Sequence, residues 1–308
     1  MTPAGGDAIA AGPVRPSTGA FAQLVTLAPP VAATCCGRGA YCAGVPDHAE
    51  PPSPRHPAGG AGNTPQRTGA GAARPIEAVL FDFHGTLAQV EEPVTWVRAA
   101  AESCAAPLDL PAATALADRL VMAGRPGGPI PHRVPPHLIE VWAERDLYAH
   151  AHRAAFTGLA ATVAGHVDGL PDALYERLLS PHGWLPYADA APTLSALRAA
   201  GIRIAVVSNI GFDIRPLMAA WGMADLVDEF VLSYELGRIK PDPAIFRAAC
   251  AALSVEPQNA LMVGDSPADA GAVATGCAAY VVPAAPPGAR NGLGAVIALV
   301  RGLAEEPA

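Results

Sequence analysis

Lysine is almost absent from this chain: Lys240 is the only one, and the other nineteen of the twenty basic residues are arginine. Acidic residues outnumber basic ones by 28 to 20, giving a formal net charge of -8. No excess of positive charge is available to hold a nucleic-acid backbone or an anionic lipid surface, so neither is expected as a partner. Long hydrophobic runs are missing too. Although 51% of the residues are hydrophobic, no uninterrupted apolar stretch reaches the roughly 18 residues that suggest a bilayer-spanning helix. A soluble chain with a sizeable buried core is expected. The six cysteines (Cys35, Cys36, Cys42, Cys104, Cys250 and Cys277) have no regular spacing. That argues against a disulfide framework and fits a reducing cytoplasm.

Residues 1–74 are rich in Pro, Gly and Ala and lack sustained periodicity. Such a segment cannot bury enough apolar surface to offset its ordering entropy and is expected to be disordered. The apolar stretch 21–34 is interrupted by Pro29-Pro30 and has only Arg15 close before it, which is a poor match to a signal peptide. Cys35, Cys36, Cys42, His48 and His56 lack the paired spacing of a zinc site and are expected to be incidental.

The texture changes at Pro75. Residues 76–83 form an apolar run ending at a Gly-Thr turn, and further runs lie at 202–207, 230–232, 260–263 and 279–282. Helical patterns fall between them: 193–200 before Gly201, 214–221 before Gly222, and 243–253 after a capping Asp242. Alternation of this kind predicts an α/β fold with a parallel, Rossmann-like sheet covered by helices on both faces. About a hundred residues separate the first strand from the second, far more than one crossover needs. Their helical patterns, around 94–104, 112–123, 137–158 and 171–179 with no convincing strand, predict an inserted helical cap. The expected division is therefore a tail over 1–74, a core formed by 75–87 and 187–308, and a cap over 88–186.

In an open parallel sheet, ligands bind beyond the carboxyl ends of the strands. The first strand ends in Asp82-Phe83-His84-Gly85-Thr86-Leu87, the second in Ser208-Asn209, and a later one in Gly264-Asp265-Ser266-Pro267-Ala268-Asp269; Lys240-Pro241-Asp242 follows the third. Carboxylates, a hydroxyl, an amide and the one ammonium thus converge on one rim. In a chain that otherwise uses arginine, the single lysine marks a place where a compact point charge differs from a planar guanidinium.

These four segments, in this order, resemble the sequence motifs of the haloacid dehalogenase superfamily, and the insertion is similar to the helical cap of its subfamily I. The resemblance covers residues 76–303. It implies a phosphatase-type hydrolase acting on a small phosphorylated metabolite, with Asp82 as nucleophile and an aspartyl-phosphate intermediate. It implies Mg2+ held by Asp82, Asp265 and the His84 backbone carbonyl, with Asp269 close by. Thr86, Ser208, Asn209 and Lys240 would hold the phosphate.

His84 departs from that pattern, since phosphatases of the superfamily carry an acid/base Asp two residues after the nucleophile. A histidine can carry out acid and base chemistry near neutral pH, but its longer ring need not reach the leaving oxygen. Catalysis with His84, a weaker specialised enzyme and a non-catalytic phosphate-binding module all remain open. A metal-free 2-haloacid dehalogenase is a further reading, favoured by Asn209 after Ser208 and opposed by the Gly264-Asp265-Ser266 turn. Substrate identity lies in the cap, where Arg98, Arg125, His132, Arg133, Trp142 and Arg145 are candidates.

Overall fold

The computed structural model describes residues 75–165 and 167–302, together with the backbone of residues 23–25. The central sheet has β1 (Gln23–Val25), β2 (Ala78–Phe81), β5 (Arg203–Ser208), β6 (Glu229–Leu232), β7 (Ala260–Gly264) and β8 (Ala278–Val281), in the order β1-β8-β7-β2-β5-β6. All pairs are parallel except β1 with β8. The α/β parallel core expected from the alternating pattern is therefore present.

Burial explains why these runs are strands. Val79, Phe81, Ile204, Val206, Leu261 and Val263 join one apolar cluster, while Ala78, Leu80, Ala205, Val207, Ala260 and Met262 join another. Alternate residues thus feed the two faces, and a strand buried on both sides reads as continuous apolar sequence. β2 lies between β5 and β7, so the chain first builds the sheet outward on one side and later crosses to the other. The crevice beside β2 at the strand ends is the switch point of the sheet, where such folds bind ligands.

Between β2 and β5 lies the helical insertion: β3 (Ala88–Val90), α1 (Pro93–Ser103), α2 (Leu110–Ala123), α3 (Ile139–Glu144), α4 (Ala149–Ala161), α5 (Leu170–Leu179) and β4 (Trp184–Pro186). It has its own core, built on Trp96, Val97, Leu116, Leu120, Leu170 and Leu174. α2 starts where the Asp109 side chain accepts from the Ala112 N–H at 2.8 Å and stops at left-handed Gly124, the usual cap chemistry.

Three expectations need correction. The insertion contains strands, because β3 and β4 pair antiparallel and form its stem; at three residues each they are too short to show a period. The helix expected over 137–158 is broken between α3 and α4, where the Ser233 hydroxyl of the core binds the Asp146 carbonyl. In the N-terminal segment, residues 23–25 extend the sheet along β8. The rest of residues 1–74, including the incidental cysteines and histidines, lies outside the described residues.

The remaining helices are α6 (Ala190–Ala199), α7 (Arg215–Ala220), α8 (Ser233–Leu236), α9 (Pro243–Ala252), α10 (Pro267–Ala270) and α11 (Gly294–Gly302). No helix among the described residues is long and apolar enough to cross a membrane.

Candidate active site

Asp82 leaves the end of β2 with its backbone N–H bonded to the Val263 carbonyl at 2.8 Å, which ties it to β7. Lys240 reaches it from the loop before α9: Nζ lies 2.5 Å from Asp82 Oδ1 and 2.7 Å from Asp269 Oδ1, with all three residues buried. The Asn209 carboxamide sets the lysine's backbone, accepting from Lys240 N at 2.7 Å and donating to its carbonyl at 2.9 Å. Burial opposes charge on Lys240, but Asp82 and Asp269 together raise its ammonium above the ordinary value.

The carboxylates feel the opposite pressure. Burial, with repulsion from Asp269 and Asp265, pushes Asp82 upward against the pull of Lys240. Asp265 is pushed up to about 6, mainly by burial and by Asp269. Oxygens of Asp82, Asp265 and Asp269 lie within 4.8 Å of one another. Three carboxylates and one ammonium leave an excess of negative charge that a divalent cation would neutralise, and an all-oxygen donor set suits a hard cation such as Mg2+.

Local sequence makes this crowding possible. Gly85 has φ +84, and a Cβ there would lie 2.2 Å from Asp265 Oδ2. Only glycine lets the loop after Asp82 pass so close to that carboxylate. Asp269 also completes a capping box at the start of α10, accepting from the Ser266 N–H at 3.0 Å and from its hydroxyl at 2.6 Å. Capping and the lysine contact therefore use different oxygens of one side chain.

The remaining sequence candidates occupy the same rim. Ser208 is the buried last residue of β5, and Thr86 is wholly buried with its hydroxyl lacking a hydrogen-bond partner among the described residues. His84 Nε2 lies 2.5 Å from Gln89 Oε1, an oxygen that also accepts from the Val90 N–H at 3.1 Å. The second donor identifies that atom as the acceptor, so Nε2 carries the imidazole proton. Burial holds His84 below its ordinary pKa, which favours the neutral ring.

Sequence reasoning missed the support beneath the loop after Asp82. The Asn291 amide donates to the carbonyls of Gly85 at 3.0 Å and Thr86 at 3.1 Å, while Asp189 accepts from the N–H groups of Asn291, Gly292 and Leu293. The local signal was an Asn-Gly pair and an Asp before α6, and neither suggests a contact with residue 85.

A cavity of about 190 Å3 opens where the insertion meets this rim, lined by His84 and Asn209 below and by Arg125, Trp142, Arg145 and His152 above. Arg98, His132 and Arg133 of the insertion are exposed and do not line it. His152 is neutral there: burial lowers its pKa to about 3, and its Nδ1 lies 2.8 Å from the Tyr175 hydroxyl.

An acidic residue at the end of the central strand, paired with a buried lysine and crowded by two further aspartates at a switch point, is the oxygen-rich centre of a Rossmann-like α/β fold, suited to a hard cation and an anionic ligand. The model of the haloacid dehalogenase-like hydrolase family matches residues 76–275, well over half of the chain, and the chain belongs to that family. A mouse haloacid dehalogenase-like hydrolase domain-containing protein 3 is 34% identical over 122 residues, covering 40% of this chain and 47% of that protein. A phosphoglycolate phosphatase of Rhodospirillum rubrum is 45% identical over 96 residues, covering 31% and 39%. An (S)-2-haloacid dehalogenase 1 of a Pseudomonas species is 34% identical over 100 residues, covering 32% and 44%. The chain thus spans less than half the length of each of these relatives. Among solved structures, the L-2-haloacid dehalogenase of Xanthobacter autotrophicus shares the fold with a TM-score of 0.50 and 21% identity, covering 74% of this chain and 99% of its own.

Proposed function

We propose that the protein hydrolyses a small phosphate monoester, with Asp82 attacking phosphorus to form an aspartyl-phosphate that water then cleaves. The observation that carries this reading is the cluster of Asp82, Asp265 and Asp269 around a single ammonium. An attack on carbon would gain little from so much surplus negative charge, whereas a cation-bridged phosphate needs it. Mg2+ would be held by Asp82, Asp265 and the His84 backbone carbonyl, with Asp269 alongside, and would offset repulsion between nucleophile and ester. Lys240, Ser208, Asn209 and Thr86 would place the remaining phosphate oxygens. The Lys240 ammonium also favours the ionised Asp82 that attack requires, partly offsetting the burial that favours its neutral form.

His84 is the weak point of this apparatus. A neutral imidazole whose Nε2–H is engaged with Gln89 is a poor proton donor to a leaving alkoxide, so esters with good leaving groups should react best. The insertion would act as the cap that carries substrate selectivity, and a cytoplasmic location fits the chemistry.

A second reading rests on Asn209 beside Ser208: dehalogenation of a 2-halo acid, with Asp82 attacking carbon. A panel of phosphate esters and 2-chloro acids, assayed with Mg2+ and with EDTA, separates the two. Mg2+-dependent release of phosphate is the expected result. Halide release that is indifferent to EDTA would replace the phosphatase reading, and an inert chain that still binds phosphate would leave a binding module.

A further inference from the structure

Arg125 follows α2 in the loop that closes over His84: a Cβ on Gly127 would lie 3.0 Å from His84 Nε2. Arg125 is only 7% exposed yet lines the cavity above the site. Its guanidinium is held in place without a contact ion pair among the described residues. Nη2 donates to the Glu91 carbonyl at 3.0 Å, the group lies 4.9 Å from the centre of the Trp96 ring, and Nε is buried with no hydrogen-bond partner. Among the described residues, no carboxylate lies within ion-pairing distance of it; the nearby Glu91 carboxylate is engaged by Arg177 at 2.5 and 2.8 Å.

Every other charge lining the cavity is accounted for. Arg145 is paired with Asp146 at 3.2 Å, donates to the Trp142 carbonyl at 2.7 Å and stacks on the Trp142 ring at 4.1 Å. The His84 ring is bonded through Nε2 to Gln89, and burial lowers the His152 pKa to about 3. One buried cation is left without an ion pair, attracted by Glu91 and Glu92 only from beyond contact distance, and a buried charge with no close partner is costly unless something compensates it.

We propose that Arg125 is a specificity-determining residue that binds a carboxylate on the substrate, so that the preferred ester is a short-chain phosphorylated carboxylic acid. The proposal rests on the phosphatase reading and adds the identity of the far end of the substrate. A planar guanidinium with free N–H groups matches a carboxylate in shape, and a single free cation balances one negative charge better than the two of a second phosphate. The cavity is also smaller than the roughly 300–1,000 Å3 of pockets for drug-sized ligands, which restricts the chain between the two anionic ends to a few atoms. Burial lowers the Arg125 pKa to about 10, so it stays charged at neutral pH while gaining from an anionic neighbour.

The test compares matched esters in the full chain with Mg2+: 2-phosphoglycolate against 2-hydroxyethyl phosphate, and 3-phosphoglycerate against glycerol 3-phosphate. The wild type should prefer the carboxylate of each pair in kcat/KM by about 10- to 100-fold, the range for a hydrogen bond to a charged group. Arg125→Gln should abolish that ratio mainly through KM. Because the ratio is the readout, a general loss of stability that lowers both esters equally cannot mimic it. A wild type indifferent to the carboxylate, or an Arg125→Gln variant that keeps the preference, overturns the proposal.

A second measurement needs no turnover: glycolate should raise the melting temperature of the wild type and not that of Arg125→Gln or Arg125→Lys. If no ester is hydrolysed, p-nitrophenyl phosphate included, while glycolate still stabilises only the wild type, the phosphatase reading falls and the carboxylate site stands. Equal stabilisation of all three proteins removes the site.

Discussion

Asn209 and Lys240 hold each other reciprocally, the lysine's N–H donating to the asparagine Oδ1 at 2.7 Å and its carbonyl accepting from Nδ2 at 2.9 Å. The two bonds join the end of β5 to the loop before α9 and fix the direction in which the one lysine enters the carboxylate cluster. Asn209 therefore has a structural use independent of any contact with substrate.

Lys240→Arg should be nearly as damaging as Lys240→Met, because Nζ fills a buried space between two carboxylates that a planar fork does not fit. Steady-state rates should fall by about 10²- to 10³-fold in both, the usual cost of removing one electrostatic stabiliser. Lys240→Met should also lose roughly 3–5 kcal/mol of stability, since it leaves Asp82 and Asp269 buried and unpaired. Mg2+ should return part of that loss in a thermal melt. Normal turnover by the arginine variant would show that the site does not need a compact ammonium.

Replacing His84 by Asp should raise hydrolysis of alkyl phosphates more than that of aryl phosphates, because a carboxylic acid at this position can protonate a poor leaving group. The check is kcat/KM across esters of graded leaving-group pKa for the wild type, His84→Asp and His84→Ala. A uniform drop in His84→Asp would mean that the imidazole already does the proton work.

His152 makes the fold sensitive to acid. Its pKa is about 3 in the folded chain against 6.5 ordinarily, so below pH 6.5 the unfolded chain binds a proton that the folded chain refuses. Its contribution is complete above that pH and is lost as pH falls toward 3, with a slope of at most about 1.4 kcal/mol per pH unit. Urea unfolding between about pH 4 and pH 7 should show a shallower pH dependence for His152→Gln than for the wild type. Parallel curves would contradict a buried neutral imidazole.

Asn291→Ala should strip the hydrogen bonds from the Gly85 and Thr86 carbonyls, at a cost of about 1–3 kcal/mol for buried groups left unsatisfied. Activity should drop along with melting temperature, as the loop carrying Asp82 loosens. A variant with wild-type stability would show that water replaces the amide there.

How far the sequence discloses this site depends on distance along the chain. The apolar runs ending in Asp82, Ser208 and Asp265 can be read because strand burial on two faces leaves a continuous local signal, and the lone lysine can be read from composition. Asp189 and Asn291 cannot, since their role exists only where two loops about a hundred residues apart meet beneath Gly85. β3 and β4 escape for a related reason: three residues show no period, and their pairing is set by the insertion they close. Arg125 was one of six candidates of equal standing in the insertion. Only burial without an ion pair separates it from exposed Arg98 and Arg133 and from Arg145, which already has a partner.

The central claim is that Asp82 attacks phosphorus, and single turnover in 18O-labelled water tests it most directly. Hydrolysis of an aspartyl-phosphate by attack at phosphorus puts the label into phosphate and leaves the Asp82 peptide unlabelled, whereas an aspartyl ester made by attack on carbon is opened at its carbonyl and labels Asp82. The account predicts labelled phosphate, an unlabelled Asp82 peptide, dependence on Mg2+ and no turnover in Asp82→Asn. Label in the Asp82 carboxylate after reaction with a 2-chloro acid, or full phosphate release by Asp82→Asn, would contradict it.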